Sequence, residues 1–205
     1  MLMSNRKGTL FIISGPSGTG KGTVIRELLS NHPEDVFLSV SATTRNPREG
    51  EIEGIHYYFK SKSDFETMIS EDGFLEWACF CENYYGTPKE IVNSKLKSGI
   101  DVILEIEIQG AMKLKDSGID AKFIFILPPS FEELKRRLTD RQTESAEVIK
   151  KRLDTAKSEL PYAEKYDYVV VNDSVENAIH NIDSIINAER CKVDKNKNII
   201  EEVQR

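Results

Sequence analysis

The feature that most constrains this chain is the segment 15–23 (GPSGTGKGT), which lies between an apolar run and a helical pattern. Residues 9–14 (TLFIIS) are almost continuously apolar, as is typical of a strand buried on both faces, and residues 22–30 favour a helix. Glycines allow such a loop to turn several backbone N–H groups toward one anion, and the helix N-terminus adds its positive end. The spacing G-x-x-x-x-G-K therefore predicts a phosphate-binding loop in which Lys21 meets the β- and γ-phosphates.

The position after Lys21 leaves the metal ligand of this loop open. The usual pattern has Ser or Thr there to hold Mg²⁺, whereas this chain has Gly22 followed by Thr23. Either Thr23 or a water molecule fills that role. A phosphate loop alone does not name an activity, because GTP switches, ATPases and small-molecule kinases all have one. The Asn-Lys-x-Asp segment with which switch proteins bind guanine does not occur in the sequence, which disfavours a nucleotide switch.

Strand-like and helix-like segments alternate along most of the chain. Ser130, with Glu133 three residues later, forms a capping-box pattern that predicts a helix start. The alternation predicts an α/β fold, a parallel sheet flanked by helices as in the P-loop NTPase core. The further segments are strands at 101–106, 122–127 and 168–171 and helices at 130–138, 144–162 and 174–188.

The segment 36–88 interrupts this alternation with shorter and more aromatic pieces. Only 63–70 looks helical, opened by a second capping-box pattern of Ser63 and Glu66. We interpret the segment as a small mixed α+β insertion, and we assign Trp77 within it to packing. The predicted division is a core of residues 1–35 and 89–205 and an insertion of residues 36–88.

Composition excludes several classes of function. The chain has 28 Lys and Arg against 34 Asp and Glu, a net charge of −6, which argues against non-specific binding of nucleic acid or anionic membrane. Its apolar runs are far shorter than the roughly 18–20 residues of a membrane span, and no signal-peptide core is seen. An odd cysteine count predicts reduced thiols and a cytoplasmic protein rather than a disulfide framework. The three cysteines are Cys79, Cys81 and Cys191.

Side chains in the insertion suggest how a second anion is bound. Arg45 and Arg48 lie three residues apart among hydroxyls, and arginine forks match phosphate oxygens two at a time. Tyr57 and Tyr85 offer phenolic O–H groups to the same anion. The carboxylate of Glu76 is a natural partner for guanine N1–H and N2–H₂, a donor pair that adenine lacks.

The strand at 101–106 ends in carboxylates. Glu105 and Glu107 point to one face, since side chains alternate along a strand. A carboxylate at this end of a parallel sheet holds magnesium through water, opposite a phosphate loop. For Glu107, a purely structural acid is an equally good interpretation.

Several motifs, taken in order, resemble guanylate kinase: GPSGTGKGT, SATTRNPREGE with GIHYYF, EWACF with NYYGTP, ILEIEIQGA and RQTE. The resemblance spans residues 9–173. It implies ATP-dependent phosphorylation of GMP or dGMP to the diphosphate, with Mg²⁺ accompanying ATP. It also implies a core, a GMP-binding insertion and a helical lid at about 137–150. Where the family has Arg-Gly-Thr-Glu in the lid, this chain has Gln142 in place of the glycine.

The resemblance also implies roles for individual residues. The catalytic residues are Lys21, Arg137, Arg141 and Arg152. The ATP-binding residues are Gly15, Pro16, Ser17, Gly18, Thr19, Gly20, Lys21, Gly22, Thr23 and Asn172. The GMP-binding residues are Ser41, Arg45, Arg48, Tyr57, Glu76, Tyr85, Thr87 and Glu105. The metal ligands are Thr23 and Glu105, directly or through water.

Alternatives to this interpretation are an interaction scaffold derived from the family, and a phosphate-loop kinase for AMP or a sugar phosphate. The intact loop and Lys21 weigh against the scaffold, and Glu76 with Ser41 weighs against another acceptor. The sequence leaves the oligomeric state open, either a monomer or a homo-oligomer.

Overall fold

The structure, a computed structural model, describes residues 6–80, 82–140 and 145–204. Its strands form two separate sheets, one of five strands and one of four. The strands are β1 (Leu10–Ser14), β2 (Val36–Leu38), β3 (Ala42–Thr43), β4 (Tyr58–Phe59), β5 (Phe74–Phe80), β6 (Asn83–Pro88), β7 (Asp101–Glu105), β8 (Lys122–Leu127) and β9 (Tyr168–Val171).

Helices connect and cover the strands. Two short 3₁₀ segments, Leu160–Lys165 and Val193–Lys195, follow the sixth and seventh α-helices. The polar region after Cys191 is thus partly ordered. The α-helices are α1 (Lys21–Asn31), α2 (Lys62–Ser70), α3 (Lys89–Lys97), α4 (Ile108–Asp116), α5 (Phe131–Thr139), α6 (Ala146–Glu159), α7 (Val175–Arg190) and α8 (Lys197–Val203).

The five-stranded sheet is entirely parallel, in the order β2-β7-β1-β8-β9. Its central strand β1 is buried along its whole length, and its side chains alternate between two cores. Phe11 and Ile13 pack with α1 and α7, whereas Leu10 and Ile12 pack with α3 and α4. Helices therefore cover both faces, which confirms the predicted α/β class and explains why β1 is apolar without alternation.

The four-stranded sheet is mixed, in the order β4-β3-β6-β5. β3 runs parallel to β4, and β6 runs antiparallel to both β3 and β5. Phe65 of α2 stacks on Phe74 at 4.3 Å and on Tyr84 at 5.3 Å between ring centroids. This sheet and α2 give the insertion a small aromatic core of its own.

Two details differ from the sequence prediction. Val36–Leu38, placed at the start of the insertion, pairs with β7 in the core sheet, because three residues are too few to show which sheet they join. The helix predicted to begin at Ser63 is instead capped by Ser61, whose hydroxyl accepts the N–H of Asp64 at 3.1 Å. The predicted cap at Ser130 is confirmed, since its hydroxyl accepts the N–H of Glu133 at 3.0 Å.

The start of β7 carries a buried carboxylate that joins distant parts of the chain. Asp101 accepts two hydrogen bonds from Arg6, at 2.9 and 3.1 Å, and one from Arg190 of α7 at 2.6 Å. The backbone N–H of Thr9 donates to it at 2.7 Å. These partners lower the pKa of Asp101 despite the opposing effect of burial. In the described part of the chain, no helix is both long and apolar enough to cross a membrane.

Candidate active site

The predicted phosphate loop leaves the end of β1 and enters α1, as its sequence context requires. Gly20 caps α1 in a left-handed conformation with φ of 86°, and an added Cβ would lie 2.6 Å from the amide nitrogen of Asn172. At Gly15, where φ is 153°, a Cβ would lie 2.3 Å from the carbonyl oxygen of Ile126. Only glycine fits either position, so the loop packs directly on the ends of β8 and β9.

Internal hydrogen bonds hold the loop in a defined shape. The carbonyl oxygen of Pro16 accepts the hydroxyl of Thr19 at 3.0 Å and the ammonium of Lys21 at 3.1 Å. The carbonyl oxygen of Thr19 accepts the amide of Asn172 at 2.7 Å. Lys21 also donates to the carbonyl oxygen of Gly15 at 2.6 Å. The ammonium is thus fixed against the loop by neutral carbonyls, partners that an anionic ligand would outcompete.

Lys21 opens into a cavity of about 830 Å³, here called the loop cavity. Burial lowers the pKa of Lys21, and the carboxylates of Glu105, Glu159 and Glu107 oppose that shift. The cavity brings together residues from the loop, the insertion and the core sheet. Among its lining residues are Gly15, Ser17, Lys21, Tyr57, Glu105 and Arg152.

A second cavity of about 360 Å³, here called the Glu76 cavity, adjoins the first. Five of the eight predicted GMP-binding residues line it, namely Ser41, Tyr57, Glu76, Tyr85 and Glu105. A sixth, Thr87, is buried behind it and donates to Glu76 at 2.7 Å. The two cavities share Tyr57, Glu105, Ile106, Glu107 and Gln109. Six of the eight predicted GMP-binding residues are therefore gathered next to the loop.

Glu76 is held in a defined orientation within this cavity. Thr87 bonds to its Oε1, and a Cβ added at Gly110 of α4 would lie 3.3 Å from its Oε2. Burial raises the pKa of Glu76, and the hydrogen bond from Thr87 and the charge of Lys113 oppose that rise. The carboxylate therefore presents one edge to the cavity with little freedom to turn.

Arg45 and Arg48 lie in the loop between β3 and β4, and neither lines the loop cavity or the Glu76 cavity. The guanidinium of Arg45 lies over the ring of Tyr57, 5.4 Å from its centroid, and Tyr57 lies edge-on to Tyr85 at 6.1 Å. Because Tyr57 lines both cavities, it places Arg45 beside them. Arg48 is exposed. Glu51 contacts both arginines, through the guanidinium of Arg45 and the backbone N–H of Arg48.

The arginines predicted for the lid are placed differently from one another. Arg152 of α6 donates to the hydroxyl of Ser17 at 2.5 Å and lines the loop cavity. Arg137 of α5 instead donates to the carbonyl oxygens of Thr19, at 3.3 Å, and Asn172, at 3.0 Å. Arg141, together with the rest of RQTE, lies outside the described residues. The structure thus brings Arg152, and not Arg137, to the cavity of Lys21.

Arg137 lines a third cavity of about 380 Å³, here called the Asn172 cavity. Gly18, Gly20, Thr23 and Asp173 line it as well. The two predicted metal ligands are not brought together, because Thr23 opens here and Glu105 opens into the loop cavity. The carboxylate oxygens of Glu105 lie 3.9 Å from the place of a Cβ on Gly22.

The donors present suit Mg²⁺ better than a metal that needs a full protein cage. Over residues 6–80, 82–140 and 145–204, no group of three or more His, Cys, Asp and Glu side chains is arranged to hold a metal ion. Mg²⁺ commonly uses one or two carboxylates, with water and substrate phosphates as its other ligands. Glu105 and Lys21 line the same cavity, where burial raises the pKa of Glu105 and the charge of Lys21 opposes that effect.

Glu159 and Lys113 are site residues that the sequence analysis missed. Glu159 lines the loop cavity, and burial raises its pKa against the charge of Lys21. Arg152, Thr155 and Glu159 are spaced i, i+3 and i+7 and so share one face of α6. This spacing could have indicated from the sequence that Glu159 lies beside Arg152. Lys113 of α4 had no such signal. Trp77, assigned to packing, is 41% exposed and meets Tyr84 edge-on at 5.8 Å.

Comparison with known proteins gives a consistent result. The sequence model of the family described as guanylate kinase matches residues 7–189. A guanylate kinase of Caldanaerobacter subterraneus subsp. tengcongensis is 54% identical over 194 residues, 95% of this chain and 94% of that protein. A guanylate kinase of Desulfitobacterium hafniense is 54% identical over 191 residues, which cover 93% of this chain and 95% of that protein. The crystal structure of guanylate kinase from Anaplasma phagocytophilum is 34% identical, with a TM-score of 0.72 over 94% of this chain and 92% of that one.

Proposed function

The chain belongs to the guanylate kinase family, and from this premise we propose that it transfers the γ-phosphoryl group of ATP to GMP or dGMP. The products are ADP and GDP or dGDP. The observation that carries the proposal is the junction of two cavities, one containing Lys21 and the other containing Glu76, through Tyr57 and Glu105. A phosphate donor and a guanine-bearing acceptor bound there would meet at the shared wall.

In the proposed reaction, a phosphate oxygen of GMP attacks the γ-phosphorus of ATP in line with the leaving oxygen of ADP. The acceptor is already an anion, so no covalent enzyme intermediate is needed. The main obstacle is repulsion between the two anions and the charge on the group in transfer. Lys21 exchanges its loop carbonyls for phosphate oxygens, and Arg152 adds a second cation from α6. Arg45 and Arg48 hold the GMP phosphate, while Glu76, Ser41 and Thr87 bind guanine.

We also propose Mg²⁺ as the cofactor, bound together with ATP. Glu105 is the residue best suited to hold it, through water. When bound, the ion supplies counter-charge to the phosphates. The cytoplasm remains the proposed location, on the strength of the cysteine count. The division into core, insertion and lid also stays a proposal, with the core sheet now including Val36–Leu38.

A coupled assay that follows ADP release tests the proposed activity. With ATP as donor, we expect turnover with GMP and dGMP and at least roughly 10³-fold lower kcat/KM with AMP or a sugar phosphate. The reason is that AMP offers no donor pair to the half-buried Glu76 carboxylate, which keeps only its bond from Thr87. Such a mismatch at a site built for hydrogen bonding costs roughly 4 kcal/mol. Preference for AMP or a sugar phosphate would refute the proposed acceptor, and absence of turnover with every acceptor would favour a scaffold.

Gly22→Ser should increase the apparent affinity of the active site for Mg²⁺. Gly22 lies in the first turn of α1, and a Cβ added there would be only in ordinary contact with Glu105, so a serine fits without strain. Its hydroxyl restores the usual loop pattern. We expect the free Mg²⁺ concentration for half-maximal activity to fall roughly threefold, as one modest polar contact of about 0.6 kcal/mol would produce.

Gly22→Ala is the matched control for this variant, because it also replaces the glycine within the helix but brings no hydroxyl. Both variants should be titrated with Mg²⁺ at fixed ATP, and their thermal stabilities compared. An equal shift in the two variants would mean that the serine hydroxyl does not reach the ion.

A further inference from the structure

The contacts of Glu51 suggest a role that its sequence position alone does not reveal. We infer that Glu51 is a positioning residue, which holds Arg45 and the backbone of Arg48 in the arrangement that receives the GMP phosphate. The inference rests on the proposed function, because it concerns the same acceptor site. Glu51 itself lines none of the three cavities described above, so its effect on GMP would pass through the arginines.

Both carboxylate oxygens of Glu51 are used. Arg45 donates from Nη2 to Oε1 at 2.8 Å and from Nη1 to Oε2 at 3.0 Å, a bidentate pair. The backbone N–H of Arg48 donates to Oε2 at 2.7 Å. In return, the backbone N–H of Glu51 donates to the carbonyl oxygen of Arg48 at 3.0 Å. A single side chain therefore closes the segment 45–51 on itself and fixes the guanidinium of Arg45 relative to the backbone of Arg48.

These contacts select which edge of Arg45 is presented to a ligand. Nη1 donates to Glu51 and also to the carbonyl oxygen of Asn46 at 2.7 Å, and Nη2 donates once to Glu51. A guanidinium has five N–H groups, and three are engaged in these bonds. Tyr85 is a further hydrogen-bond partner of the guanidinium. The N–H groups on Nε and Nη2 form the adjacent edge of the fork, whose parallel geometry suits two phosphate oxygens. Tyr57, under the guanidinium, keeps its plane in place.

The ion pair between Glu51 and Arg45 also remains charged at neutral pH. The Arg45 guanidinium, followed by the N–H of Arg48, lowers the pKa of Glu51 to about 2. The hydrogen bond to Glu51 raises the pKa of Arg45 against a smaller effect of burial, and Tyr85 adds to the rise. A carboxylate so close to an anion site opposes phosphate binding by its charge. A positioning role and simple charge repulsion therefore predict opposite changes in KM for GMP when the charge of Glu51 is removed.

Glu51→Gln separates these two effects, since it keeps the shape and removes the charge. Positioning predicts that KM for GMP rises about tenfold with little change in kcat and in KM for ATP, the loss expected when a charge-assisted pair is broken. Repulsion predicts that KM for GMP falls. Glu49→Gln is the matched control, because Glu49 is exposed and its substitution removes the same charge two residues away.

A calorimetric comparison of GMP with guanosine distinguishes positioning from a general structural effect. Guanosine lacks the phosphate, so Glu51→Gln should weaken GMP binding about tenfold and leave guanosine binding unchanged. In an Arg45→Ala background the same change should have much less effect, because its main partner is absent. Equal weakening of GMP and guanosine, or a lower KM for GMP, would overturn the inference.

The control measurements keep this test separate from the proposed function. If the unaltered protein does not phosphorylate GMP, the proposed function fails before Glu51 is considered. If it does, and Glu51→Gln behaves like Glu49→Gln, only the positioning role is lost. Thermal unfolding of each variant shows whether it is folded, and guanosine binding provides a second measure should activity be too low to assay.

Discussion

Lys21→Ala is expected to lower kcat for GMP phosphorylation by about 10³-fold, roughly 4 kcal/mol of transition-state stabilisation. Lys21 is the cation that the phosphate loop itself carries into the loop cavity, and its ammonium already lies 2.6 Å from the carbonyl oxygen of Gly15. The transferring phosphoryl group carries negative charge that nearby cations and backbone N–H groups stabilise. GMP binding should be nearly unaffected, because Lys21 does not line the Glu76 cavity.

The measurement is steady-state kcat with saturating ATP and GMP, accompanied by GMP binding to the variant. Lys197→Ala is a suitable control, because replacing this exposed lysine in α8 changes the net charge by the same amount. Retention of the unaltered kcat in Lys21→Ala would refute the phosphate-loop assignment. Loss of GMP binding together with kcat would instead show that Lys21 supports the fold.

Glu76→Gln is expected to lower kcat/KM for GMP by about 10²- to 10³-fold, roughly 3–4 kcal/mol, while KM for ATP changes less than about twofold. Guanine offers two parallel donors, and the carboxylate of Glu76 offers acceptors in an orientation set by the hydrogen bond from Thr87. Glutamine keeps the size of the side chain but turns one acceptor into a donor. That donor would face a donor of guanine, so one hydrogen bond would be lost and two donors would oppose each other.

Steady-state kinetics with each nucleotide varied in turn provides the test, and AMP should be assayed beside GMP. Because the variant no longer leaves a buried charge unpaired with AMP, discrimination between the two acceptors should fall. Glu27→Gln, on the exposed face of α1, is the control for the change in charge. Equal losses for GMP and ATP would count against a role in guanine binding.

The local parts of this molecule could be predicted from sequence, because their signals are contiguous. The run from β1 through the loop into α1 is unbroken, from Leu10 to Asn31, and each of its pieces restricts the next. β2 is too short to show a periodicity, and its place in the core sheet depends on pairing with β7, which is distant in sequence. Similarly, Ser61 and Ser63 are equivalent as helix caps by composition, and only the packing of α2 decides between them.

The arrangement of the charged side chains was less predictable. Arg137 and Arg152 look alike as charges on helices, but the former donates to the carbonyl oxygens of Thr19 and Asn172, and the latter lies beside Ser17 and the loop cavity. Which face of a helix turns toward a site depends on how the helices pack, and this is a long-range property. Glu51 was missed for a related reason, because an acidic residue after two arginines resembles an ordinary solvated charge until its bonds are known.

The bonds that tie Pro16 and Thr19 into the phosphate loop have a thermodynamic consequence for nucleotide binding. Fixing the backbone of one residue costs about 1–2 kcal/mol in conformational entropy. If a loop became ordered only when its ligand bound, the binding free energy would be weakened by that amount for each residue that is ordered. Here the carbonyls of Pro16 and Thr19 are already engaged by groups from within the loop and from Arg137 and Asn172. The ordering cost of the loop is met when the protein folds, so the entropy of ATP binding should reflect the ligand and its side-chain partners rather than the main chain.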